Sequence, residues 1–217
     1  MLTPWQCHQL RLAGEKPDDA HPLWDAATQQ ILLMFQQDKR QLKRIQSTER
    51  KAEYKKTVLP RYAPWVSGVL ENGDGHQDDT LMMVMLWRID AGDIEGALAI
   101  AEYALTHRLL MPTSHSRTTG CAIAEEIAAA AKAAYQQDQP LELSLLAQTV
   151  ALTDEEDMPD VVRAELYKWM GFCQRDNGLP DAALDTLKRA LRLFQGVGVK
   201  GEIKKLEKAR NTALPNT

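Results

Sequence analysis

Apolar positions recur along this chain at intervals of three and four residues, and no run alternates at period two over the length of a strand. The pattern therefore predicts helices throughout. From about Leu23 to Leu59 no Gly or Pro intervenes, and one long helix is expected there. Its first half is apolar (Trp24, Ile31, Leu32, Leu33, Phe35). Leu42, Ile45 and Ala52 continue the spacing of Ile31 and Phe35 as a narrow stripe of coiled-coil type, broken by Asp38 and Glu49. Pro60 and Pro64 are expected to end that helix. A turn-rich loop with Asn72-Gly73 and Asp74-Gly75 follows, and Asp78, Asp79 or Thr80 can cap the next helix.

That next helix, LMMVMLWRIDAG, is apolar nearly all round and should be buried. A turn at Ala91-Gly92-Asp93 leads into IEGALAIAEYALTHRLL. The same design returns as RAELYKWMGFCQRDNG followed by LPDAALDTLKRALRLF. With Gly92 set on Gly178, Ala97 falls on Ala183, Leu98 on Leu184, Ala104 on Ala190 and Leu105 on Leu191. Glycine at the turn accepts a left-handed backbone, small alanines let two helices approach, and leucines fill the groove. This is the tetratricopeptide pattern. In the second copy Tyr167, Met170, Gly171, Gly178, Ala183, Leu187 and Ala190 occupy its key positions. Two copies fall short of a solenoid, so they belong to a mixed bundle.

The fold class is thus all-α: a long N-terminal helix, then a helical bundle containing tetratricopeptide-like hairpins. The expected organisation is a flexible arm over 1–22, a long basic helix over 23–60, and a central helical domain over 61–135 with the first hairpin. A C-terminal helical domain over 136–210 holds the second hairpin, and 211–217 is a frayed tail. The segments AIAEEIAAAAKAAYQQ, LELSLLAQTVAL and GEIKKLEKAR supply further helices.

Charge changes the picture more than composition does. The chain of 217 residues carries a net charge of −4, which argues against nucleic acid. Yet residues 39–61 hold nine basic and two acidic residues, a net +7, leaving −11 for the rest. Lys39, Arg40, Lys43, Arg44, Arg50, Lys51, Lys55 and Lys56 are the candidate phosphate contacts, with His115 and Arg117 of the polar connector as weaker ones. No apolar run approaches the roughly 20 residues that cross a bilayer. Cys7, Cys121 and Cys173 lie far apart and read as buried thiols rather than a disulfide or metal framework. Trp65, Trp87 and Trp169 read as packing residues.

No phosphate-binding loop, GxSxG, HExxH or GxGxxG motif is present. The five histidines are not spaced as metal ligands. The stretch Glu71–Asp79 places four carboxylates and His76 within nine residues. Asp74, Asp78 and Asp79 are the candidate catalytic carboxylates there, and Asp78 with Asp79 would hold Mg²⁺ if the chain cleaves DNA. The competing reading is a Gly-rich turn followed by acidic capping residues.

The segments APWV, QDD, MLWR and GDIEGAL, in that order, followed by MPTSHSRT, AEEIA, DMPDVVRAELYK and GVKGEIKKLE, resemble the terminase small subunit of peduovirus-like tailed phages. That subunit is traditionally called the terminase endonuclease subunit. The resemblance runs from about residue 23 to 208. It implies a protein that binds double-stranded viral DNA at the packaging site and takes part in its cleavage. It also implies recruitment of the terminase large subunit, an ATPase, and assembly into a homo-oligomeric ring, all in the host cytoplasm and without a membrane. DNA binding would need no cofactor. Family members can carry a basic C-terminal tail; here the chain stops at NTALPNT, which shifts DNA contact toward the first helix or the N-terminal arm. An alternative reading stays open, a helical-repeat adaptor that binds protein partners only.

Overall fold

In the computed structural model of the protein, the described residues are 22–113 and 116–213. The expected arm over 1–22, with Cys7, therefore lies outside them apart from Pro22, as do His115 and residues 214–217 of the expected tail. Among the described residues there are ten α-helices and no strand. They are α1 (Pro22–Arg44), α2 (Thr48–Val58), α3 (Ala63–Asn72), α4 (Asp79–Asp90), α5 (Ile94–Thr106), α6 (Thr119–Gln136), α7 (Leu143–Thr153), α8 (Asp160–Asp176), α9 (Pro180–Leu193) and α10 (Lys200–Ala213). The all-helical fold class is as the pattern predicted. The chain divides into two compact units, residues 1–41 and 42–217. The first contributes most of α1; the second contains everything from the last turn of α1 onward.

Two boundaries differ from the expected ones. The long helix is interrupted at Ile45-Gln46-Ser47. Ser47 is the reason: its backbone is extended and its hydroxyl accepts the Arg50 N–H at 3.3 Å, which starts α2 afresh. The stripe from Ile31 to Ala52 therefore does not lie along one helix. Second, Pro60 and Pro64 open elements as well as closing one. Pro60 lies in a 3₁₀ turn, Leu59–Arg61, and Pro64 sits in the first turn of α3, where a missing N–H costs nothing.

The second unit is organised by two hairpins. In α4–α5, Gly92 has φ +83°, and the Asp93 N–H bonds the Arg88 carbonyl at 2.9 Å. In α8–α9, Gly178 has φ +72°, and the Leu179 N–H bonds the Gln174 carbonyl at 2.9 Å. Both are six-residue helix-terminating loops that require a left-handed residue. The residues paired by the sequence repeat share burial. Ala97 and Ala183, Leu98 and Leu184, and Ala104 and Ala190 are all buried, while Leu105 and Leu191 are half-buried.

The α4 helix is the core of the first hairpin, with Leu81, Met82, Val84 and Met85 wholly inaccessible. Trp87 is buried and meets Tyr62 edge-on at 6.1 Å, while Trp65 is only half-buried. In the second hairpin, Gly171 lets α9 come close: a Cβ there would stand 2.6 Å from Leu187 Cδ2. Ile203 and Leu206 of α10 complete this core with Leu184, Leu187, Val197 and Val199. Arg175 ties three helices together. Its guanidinium donates to Tyr135 Oη on α6 at 2.6 Å and pairs with Glu202 on α10 at 3.1 Å. Cys121 and Cys173 are buried, and burial pushes both thiols above their usual range. No helix among the described residues is long and apolar enough to cross a membrane.

Candidate functional site

The acidic loop is built as a structural connection. Residues 73–78 join α3 to α4 without helical structure. Asp78 is the N-cap of α4, and its Oδ1 accepts the N–H groups of Thr80 and Leu81, each at 2.9 Å. Burial pushes its carboxyl up to about 6, against the opposing pull of those two amides. Asp79 accepts a bond from the Gln77 side-chain amide at 3.0 Å. Asp74 pairs with His76 at the surface, and that hydrogen bond lowers its carboxyl below the usual range.

Sequence reasoning passed over Gln77. Its amide donates to the Leu110 carbonyl at 2.9 Å, and its carbonyl accepts the Leu110 N–H at 2.8 Å. The side chain thus mimics a strand partner and pins the loop to the segment after α5. Tyr103 Oη accepts the Gly75 N–H at 3.0 Å, and the His107 ring lies so close to Gly75 that no Cβ fits. Among the described residues, no group of three or more His, Cys, Asp or Glu side chains is arranged to hold a metal ion. The three carboxylates are instead each held by a local partner, a poor fit to a site that needs them free to converge on Mg²⁺.

The basic candidates fall into two groups. Lys39, Arg40, Lys43 and Arg44 occupy the last turns of α1 and are all exposed. Spaced i, i+1, i+4 and i+5, they share one side of the helix, and residues 39–48 contain no acid. The Lys39 ammonium stands 5.9 Å from the centre of the Phe35 ring. Their place at a helix C-terminus is itself favourable for cations.

On α2 the charge is dispersed. Lys55 is 13% exposed and pairs with Asp90 at the end of α4. Lys51 is half-buried. The exposed cations, Arg50 and Lys56, each lie three residues from exposed Glu53, and Glu49 is exposed beside them. The sequence density of +7 therefore resolves into one clean cationic helix end and one helix of mixed charge.

The connector offers less. Arg117 is engaged with Glu125 at 3.0 Å. The N-terminus of α6 already has an anion, because the Glu156 side chain lies over Gly120 and leaves no room for a Cβ.

Comparison with known proteins decides what this scaffold is. A family model described as phage small terminase subunit matches residues 32–161. The chain belongs to that family. It is 46% identical over 211 residues to the "Terminase, endonuclease subunit" of Escherichia phage P2, covering 96% of this chain and 85% of that protein. It is 27% identical over 96 residues to the "Probable terminase, endonuclease subunit" of Haemophilus phage HP1 (strain HP1c1), covering 44% of this chain and 34% of that protein. No solved structure matches. As a small terminase subunit, the chain has its matched segment running from mid-α1 through the first residues of α8, so both basic groups and the acidic loop fall within it.

Proposed function

We propose that this small terminase subunit binds double-stranded phage DNA through the last turns of α1, at the site where packaging begins. It presents that DNA for cutting and recruits the large ATPase subunit, acting as a homo-oligomeric ring in the host cytoplasm. The observation that carries the DNA contact is the group of four exposed cations, Lys39, Arg40, Lys43 and Arg44, in a stretch without an acid. Phosphate contacts by such side chains supply sequence-independent affinity that falls steeply with salt. Packaging and cutting are supported by the likeness to the P2 endonuclease subunit. The hairpins, with their buried alanine and leucine positions, serve as scaffold, and Mg²⁺ enters only as a requirement of the cutting step.

The test is fluorescence anisotropy with packaging-site duplex DNA across a salt series. Each phosphate contact contributes about 0.9 to the slope of log affinity against log salt. Replacing Lys39, Arg40, Lys43 and Arg44 with Gln should reduce that slope by about 3 to 4. Unchanged affinity and slope in this variant would sink the α1 assignment. A wild-type protein with no DNA affinity would favour the protein-only adaptor. Nicking of the same duplex by the purified chain with Mg²⁺, lost in Asp78→Ala/Asp79→Ala, would return the acidic loop to the chemistry.

A further inference from the structure

The end of α9 and the α10 helix together carry a second concentration of positive charge. Residues 188–210 hold eight basic and two acidic residues, a net +6. The fold pairs both acids with bases. Glu202, 16% exposed, is turned to Arg175 at 3.1 Å and Lys205 at 3.5 Å. Glu207 pairs with Lys188 on α9 at 2.7 Å. Ile203 and Leu206 are buried in the core of the second hairpin, which fixes the face of α10 that looks outward. On that outward face stand Lys200, Lys204 and Lys208, all exposed, with exposed Lys205 on the flank. Glu202 is thus largely withdrawn from solvent, whereas both acids of α2 are exposed.

We propose that this outer face of α10 is a second contact surface for the phosphate backbone of double-stranded DNA, made by Lys200, Lys204 and Lys208. The proposal rests on the reading that the chain binds DNA. The lysines recur every four residues, so they are spaced about 6 Å along the helix axis and span about 12 Å. One strand of DNA presents a phosphate every 3.4 Å or so of its axis, so the ladder covers three to four phosphates.

Helix stability does not explain the lysines. Like charges four residues apart repel, and Lys200 and Lys204 lie near the N-terminus of α10, where the helix dipole disfavours cations. Finally, the face suits a polyanion better than a protein. The exposed residues around the ladder are Gly201, Lys205, Ala209, Asn211 and Thr212, with no large apolar side chain, and half-exposed Glu207 at its edge is engaged by Lys188. Protein interfaces are depleted of lysine and are centred on aromatic or apolar residues.

The experiment compares salt slopes of duplex DNA affinity for four proteins. They are the wild type, Lys200→Gln/Lys204→Gln/Lys208→Gln, the α1 quadruple variant, and the control Arg108→Gln/Lys132→Gln, which removes two exposed charges elsewhere. The α10 variant should lose about 3 from the slope, at an unchanged melting temperature, while the control keeps the wild-type slope. If the α10 variant keeps the wild-type slope while the α1 variant loses its share, the α10 face serves another partner and the inference falls alone. An equal loss in the control, which would mark a mere effect of net charge, also overturns it. A wild type that does not bind DNA overturns both the inference and the reading beneath it.

Discussion

Asp78 holds a charge in a place that resists one. Its carboxyl is pushed up to about 6 by burial, while an unfolded Asp titrates near 3.8. Between those values the folded chain binds more protons than the unfolded chain, so the contribution of this group to stability is present below about 4 and is lost as pH rises through about 6. Asn accepts the same two backbone bonds without the charge. Asp78→Asn should therefore flatten the fall in melting temperature between pH 4 and 7, whereas Asp78→Ala should cost about 1 kcal/mol through loss of the cap. If wild type and Asp78→Asn share one pH profile across that range, burial is not what governs this carboxyl. The burial of Asp78 was not legible in the acidic run itself. Six residues rich in turn formers announced a loop and a cap, but the bonds that pin this loop run from Gln77 to Leu110, thirty-three positions away.

At the scale of elements, the two hairpins show how much of a helix pair is written locally. Gly92 and Gly178, with alanines and leucines at matching offsets, were enough to predict both turns and the buried face, because a left-handed turn and a close helix contact each demand a small set of residue types. Glycines inside helices are a sharper probe. Gly171 faces Leu187 with no room for a methyl, while Gly68 in α3 has no heavy atom within 4 Å of where a Cβ would stand. Gly68→Ala should stabilise the protein by about 1 kcal/mol through helix propensity, and Gly171→Ala should destabilise it despite the same propensity gain. Urea unfolding of the two variants measures this, and a shift of equal sign would show that the α8–α9 contact yields easily. The break at Ser47 was harder to read. Glycine and proline mark interruptions plainly, but a serine ends one helix and starts another only when the flanking segments pack so as to favour it.

For the whole molecule, a net charge of −4 describes no part of it. The two basic segments carry +7 and +6, which leaves −17 for the remaining residues. Sequence counting found the first segment and ranked it by density. The second escaped because Glu202 and Glu207 dilute it in the sequence, and only folding pairs Glu202 with Arg175 and Glu207 with Lys188. The proposed ring belongs to this scale as well. Native mass measurement at the protein concentrations that saturate DNA should give a single closed multiple of 24.4 kDa. A monomer under those conditions would remove self-assembly from the proposed function.

The lysine ladder on α10 also bears on movement. Lysine is a flexible point charge, and unlike arginine it has no planar fork to lock onto one phosphate geometry. A row of such charges grips a duplex with nearly the same energy at every position, because each ammonium can pass from one phosphate to the next as the DNA advances. Such a surface supplies hold without friction. DNA being fed into a capsid could run past it, restrained from leaving but free to travel along its own axis.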